Sequence, residues 1–134
     1  MTDRGLAEVA HAWWQAIDRA DFEAAAALMA PGSVVDWPLS NERMSDASSW
    51  KAVNEHYPGR WAASVRQTVS EGDTVVTVAE VTDGTISVQA ISFFTISEGL
   101  ITRLIEYWPE PYAAPAGRSQ WTMPILSPTA IDAG

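Results

Sequence analysis

The chain has 134 residues, 47% of them hydrophobic, with seven Trp and no Cys. Its length suits one domain with a core that needs no staple or metal, and the lack of cysteine excludes a disulfide framework and any thiolate nucleophile. Seventeen acidic against eight basic residues give a formal charge of −9, and the scattered Lys51, Arg60 and Arg66 form no phosphate track, so nucleic acid is excluded as a partner. No apolar run approaches the roughly 20 residues of a membrane span, and Met1-Thr2-Asp3-Arg4-Gly5 lacks the basic-then-apolar layout of a secretory signal. The expectation is a cytoplasmic protein that does not engage a membrane.

Leu6, Val9, Ala10, Trp13 and Ile17 recur at three- and four-residue intervals, which predicts an amphipathic helix from about Asp3 to Ala20. Asp21 is placed to cap a second, short helix through Leu28, stopped by Pro31-Gly32. Ser33 to Trp37 reads as a strand ended by Pro38. Ser45 or Asp46 caps a third helix carrying Trp50, Val53 and Tyr57, which Pro58-Gly59 ends.

The remainder predicts strands over Ala62–Ser70, Thr74–Thr82, Ile86–Ile96 and Leu100–Trp108, with the last three forming an antiparallel meander. Asp83-Gly84 between two β-rich runs is a hairpin signal, because both residues tolerate positive φ. The domain spans residues 1–134, with a core of about 3–109 and a Pro-rich tail over 110–134. In that tail, Glu110-Pro111-Tyr112 and Arg118-x-x-Trp121 form a small pattern. As a lid it would exclude water from a site; as a strap it would bury Trp121, and the strap is the preferred reading.

Glu106 stands out chemically. On a strand, Leu104, Glu106 and Trp108 share one face, so the acid is flanked by apolar side chains and must be paired or line a pocket. One reading makes it chemically active; the other makes it a structural partner of Arg118 or Arg103. His11 lies opposite the Trp13 stripe and is expected to be solvated, and His56 suits the negative end of the third helix. Two histidines on separate helices give no metal-ligand spacing, and no glycine or serine motif supports nucleotide binding or nucleophilic hydrolysis.

Helices followed by a twisted antiparallel sheet make an α+β layout with the helices on one face. The order and residues of Ala16-Ile17-Asp18-Arg19-Ala20-Asp21-Phe22, Leu28-Met29-Ala30-Pro31-Gly32, Val34-Val35-Asp36-Trp37-Pro38, Ser97-Glu98-Gly99-Leu100-Ile101 and Glu106-Tyr107-Trp108 resemble the nuclear transport factor 2-like superfamily in its SnoaL-like branch. The resemblance runs from about Leu6 to Trp108. It implies a cone: a strongly curved, antiparallel or mixed sheet covered by three N-terminal helices around a ligand cavity, often in a homodimer. Partly apolar outer positions on Thr74–Thr82 and Ile86–Ile96 favour a second copy as partner.

The family's catalytic sets do not carry over whole. In a ketosteroid isomerase-like enzyme the helix-1 tyrosine would fall on Trp13, the general-base aspartate on Trp37 and the oxyanion-hole acid on Ser92. In a limonene epoxide hydrolase-like enzyme the middle-strand Arg-x-Asp pair would fall near Ala79 and Val81, yet the last-strand aspartate matches Glu106 and the first-strand asparagine matches Asp36. Scytalone dehydratase-like chemistry needs strand histidines, which this chain lacks.

With Asp36 pointing inward beside Val34, the cone would hold two carboxylates in one apolar chamber. Repulsion and desolvation would then raise a pKa toward neutrality. Alternatively Asp36 caps a turn before Pro38. The resemblance further implies a lining of Trp13, Val34, Trp50, Tyr57, Ser92, Phe94, Leu104 and Trp108. The expected function is binding of a small apolar or amphipathic molecule, with cofactor-independent and metal-independent acid–base catalysis of the hydrolase, lyase or isomerase type by Glu106 and Asp36. The rivals are a non-catalytic ligand-binding domain and a dimeric interaction domain of the same fold.

Overall fold

The computed structural model describes residues 5–125. Three helices precede most of the sheet: α1 (Leu6–Asp18), α2 (Phe22–Ala27) and, after β1 (Met29–Trp37) and β2 (Glu42–Met44), α3 (Ala47–Glu55). Four long strands follow: β3 (Ala62–Glu71), β4 (Thr74–Thr82), β5 (Ser87–Ser97) and β6 (Leu100–Tyr107). They form one six-stranded sheet in the order β2-β1-β6-β5-β4-β3, antiparallel except for the parallel β1–β6 pair. This is the expected α+β cone, a curved mixed sheet with the helices packed into its concave side. Among the described residues no helix is long and apolar enough to cross a membrane.

The helix ends follow their local chemistry. The Asp21 carboxylate accepts the Ala24 N–H at 3.0 Å, and the Asp46 carboxylate accepts the Ser49 N–H at 2.7 Å. Each satisfies a backbone donor that the first helical turn leaves free. Helix α1 starts later than the periodicity predicts, at Leu6, where Gly5 donates its N–H to Glu8. Along β4, Val75, Thr77, Ala79 and Val81 are buried in alternation, and Ala90, Ser92, Phe94 and Ile96 repeat this on β5. These side chains meet Val9, Ala10, Trp13 and Trp14 of α1 to make the core.

Three local expectations change. Pro31-Gly32 does not merely stop α2; it lies within β1, where the ladder to β6 slips between Met29 and Val34, because proline has no N–H to donate. Of Asp83 and Gly84 only Gly84 has positive φ, and the Asp83 carboxylate accepts the Thr85 and Ile86 N–H groups across the loop. The hairpin with two successive positive φ angles is Glu98-Gly99, between β5 and β6. The tail over residues 110–125 is exposed throughout, with Trp121 78% and Tyr112 86% accessible. It is not a strap over its own domain. Its last residues, 126–134, lie outside those described.

Asp36 also differs from expectation. On β1 the buried residues are Met29, Ser33 and Val35; beyond the slip in the ladder Ser33 and Val35 set the inner phase, so Trp37 shares the inner face while Val34 and Asp36 face out. The short strand β2 places Arg43 opposite Asp36, and Val34 of β1 pairs with Arg103 of β6. The Asp36 carboxylate accepts from the Arg43 guanidinium at 2.6 and 3.0 Å and from Arg103 at 2.7 Å. The Arg43 bond, reinforced by both positive charges, holds its carboxyl below the usual range. Asp36 ties the β2 edge to β1 and β6. Asp36→Asn is expected to lower stability at pH 7 by about 1 kcal/mol, and the difference should shrink as pH falls below the ordinary aspartate value and through the lowered folded one, as a series of urea titrations from pH 7 downward would register.

Candidate active site

The concave side of the sheet and the three helices line a half-open cavity of about 760 Å³. Six of the seven tryptophans border it: Trp13 and Trp14 from α1, Trp37 from the end of β1, Trp50 from α3, Trp61 before β3 and Trp108 just after β6. The rings pack against one another, edge to face except for the tilted pair Trp13–Trp50. Trp13 lies 4.9 Å from Trp14 and 5.3 Å from both Trp50 and Phe94, and Tyr57 lies 6.1 Å from Trp61, centroid to centroid.

Glu106 reaches this chamber from the middle of the sheet and is 1% exposed. It faces inward because Leu104 and Glu106 share the buried phase of β6. The antiparallel register sets it directly opposite Ser92, whose hydroxyl donates to Oε2 at 2.6 Å. The parallel pair Asp36–Ile105 brings Trp37 alongside, and its indole N–H donates to Oε1 at 3.1 Å. Trp108, on the same face two residues on, donates to Oε1 at 3.2 Å.

No cation pairs with Glu106 among the described residues. Burial therefore dominates and pushes its pKa up to about 7, although the three donors from Ser92, Trp37 and Trp108 pull the other way by favouring the charged form. A neutral-range carboxyl facing an apolar cavity can give or take a proton near pH 7. Both lone pairs of Oε1 are engaged by indole donors, which cannot accept a proton. Oε2 keeps one position beyond the Ser92 bond, so proton exchange falls to that atom.

The structure brings Glu106, Trp13, Trp50, Tyr57 and Trp108 together around the cavity. Ser92 sits behind Glu106 as its hydrogen-bond partner, while Phe94 and Leu104 are fully buried core outside the lining. Val34 and Asp36 face the opposite side of the sheet, so the two carboxylates do not share a chamber. Trp37, Trp14 and Trp61 were not among the expected lining residues. Alternation supplies the signal for Trp37, since an inward Val35 carries Trp37 with it.

Two polar atoms, Trp13 Nε1 and Ser33 Oγ, are buried without a partner among the described residues. His11 is half-buried and 2.8 Å from the Thr68 hydroxyl, bordering a shallower groove between α1 and β3, rather than solvated. His56 Nδ1 approaches the Ala52 carbonyl at 2.7 Å, at the end of α3 as expected. Among the described residues no three His, Cys, Asp or Glu side chains cluster closely enough to hold a metal.

Solved structures with this architecture span several activities. A candidate ketosteroid isomerase of Kribbella flavida superposes with a TM-score of 0.85 at 24% identity, covering 92% of this chain and 91% of that one. An NTF-2 like protein of unknown function from Burkholderia xenovorans gives 0.77 at 28% identity, with 90% and 94% covered. An LEH-like epoxide hydrolase of M. tuberculosis gives 0.64 at 18% identity, with 78% and 82% covered. No curated protein matches the sequence significantly. The SnoaL-like domain model matches residues 10–104, and with that match over most of its length the chain belongs to the SnoaL-like domain family.

Proposed function

We propose that this protein is an acid–base enzyme acting on a small, largely apolar molecule, with Glu106 as its one proton-exchanging group. The observation that carries this reading is a fully buried carboxyl with no counter-charge among the described residues, facing a tryptophan-lined cavity; burial raises its pKa toward neutrality. As base, Oε2 accepts a proton from the substrate and leaves the electron pair on the substrate. As acid, the same oxygen returns the proton at another atom. One group that takes and returns a proton suits isomerisation or ring closure. Hydrolysis asks for a second group to activate water, and Asp36 is on the far side of the sheet. A non-catalytic ligand carrier is the second reading, favoured by the three donors that already hold Glu106 in place as an anchor.

We further propose that the outer sheet face meets a second copy. Val76, Val78, Ile91, Phe93, Ile105 and Tyr107 adjoin one another there, with Phe93 and Tyr107 stacked edge to face at 6.2 Å. Phe93 is exposed. Light scattering is expected to return twice the chain mass, and Phe93→Glu to return the monomer.

The raised pKa has a measurable sign. Unfolded, the carboxyl has its ordinary value of 4.5; folded, about 7. Between those values the native state holds a proton that the unfolded chain has lost. Stability is therefore expected to fall as pH rises through that window, by about 1.4 kcal/mol per unit and about 3 kcal/mol in all, and to level off above it. Glu106→Gln keeps an acceptor for both indoles and an N–H donor toward Ser92. It should flatten that slope and be more stable than the parent at pH 8, as urea titrations would measure. The same variant is expected to lower turnover of a substrate found by screening about 100-fold or more, while a carrier would lose only affinity.

A further inference from the structure

We infer that the ligand of this chamber is a lipophilic cation, an apolar molecule carrying a quaternary or protonated ammonium group. The inference deepens the functional reading of the same site and rests on that chamber being the binding site.

Ring surface is the first argument. The indole N–H groups of Trp37 and Trp108 are engaged by Glu106, that of Trp14 by the Thr77 hydroxyl at 3.0 Å, and that of Trp61 by the Pro58 carbonyl at 3.0 Å. What these four rings offer the cavity is carbon and π-electron surface. Tryptophan presents the most negative face of the aromatic side chains, and such cages select ammonium groups.

Charge is the second. The residues bordering the cavity include four carboxylates, Glu42, Glu55, Glu106 and Glu110, against one cation, Arg60. The Arg60 guanidinium is turned to backbone carbonyls, donating to Asp18 O at 2.7 Å and to Trp61 O. An anionic ligand would find no free donor of positive charge here. It would also meet the field of a chain with a formal charge of −9.

Depth is the third. Glu106 is the buried carboxyl of the four; Glu42, Glu55 and Glu110 are exposed. Its neighbours from β1, β5 and the end of β6 are Trp37, Ser92 and Trp108, none of which titrates near neutrality. Tyr57 and Arg60 are the remaining ionisable lining groups, and both are exposed. The buried carboxyl receives from such a ligand the positive charge that no described side chain supplies. Binding would then draw Glu106 into its ionised, proton-accepting form.

The test compares benzyltrimethylammonium with its uncharged carbon isostere, neopentylbenzene, and with phenylacetate, by quenching of indole fluorescence at pH 8 and pH 5.5. At pH 8 the cation is expected to bind about tenfold or more tighter than the isostere, with phenylacetate weakest. At pH 5.5, and in Glu106→Gln at either pH, that advantage should shrink about tenfold. Equal or tighter binding of the isostere overturns the cation inference and leaves the acid–base reading standing, since the stability slope of Glu106 tests that separately. Failure of all three probes to bind at millimolar concentration overturns it too and removes the chamber as a binding site. Tighter binding of phenylacetate overturns it outright.

Discussion

A carboxyl group enclosed by indoles, with donors but no counter-charge, is the constraint around which this structure is arranged. Burying an ionisable acid is unfavourable unless it is neutralised or hydrogen-bonded. Here Ser92, Trp37 and Trp108 supply the hydrogen bonds, and no described side chain supplies the charge. The remaining stress appears as a pKa near 7 instead of near 4.5. A domain organised only for stability would place glutamine or leucine at such a position. Retaining an acid there is the kind of local cost that functional sites carry.

Each donor arrives by a different route through the fold. Ser92 is placed by antiparallel register on β5, Trp37 by the parallel β1–β6 pair, and Trp108 by the two-residue repeat of β6 itself. The mixed sheet is thus more than a scaffold, since only a parallel β1 beside β6 brings Trp37 to that oxygen. The helices complete the enclosure. Trp13 and Trp50 pack against each other from α1 and α3, and the caps on Asp21 and Asp46 fix where the second and third helices begin.

The two acids singled out in the sequence illustrate how one residue of phase changes a role. Asp36 and Trp37 are neighbours, and strand alternation sends one out and the other in. Facing out, Asp36 meets Arg43 and Arg103, and its carboxyl falls below the usual range. Facing in, Trp37 holds Glu106, whose carboxyl rises. The same chemical group is driven in opposite directions by guanidinium charge on one face and by desolvation on the other.

Much of the architecture was legible without coordinates because it rests on local rules. Three- and four-residue spacing marked α1, Asp21 and the pair Ser45-Asp46 marked helix starts, turn signals on either side located β4, and alternation put Leu104, Glu106 and Trp108 on one face. The three-residue β2 escaped because Glu42-Arg43-Met44 is too short and polar to show a pattern. Which phase of β1 turns inward also escaped, since Val34 and Val35 are equivalent apolar residues and nothing local distinguishes them. That choice depends on which arginines lie across the ladders and which rings lie across the cavity, and those residues are remote in sequence. Sequence alone therefore determined that a carboxyl shares a strand face with leucine and tryptophan. Only the tertiary structure decided that it stands alone among indoles, because register and curvature, not neighbouring residues, set what a buried charge must face.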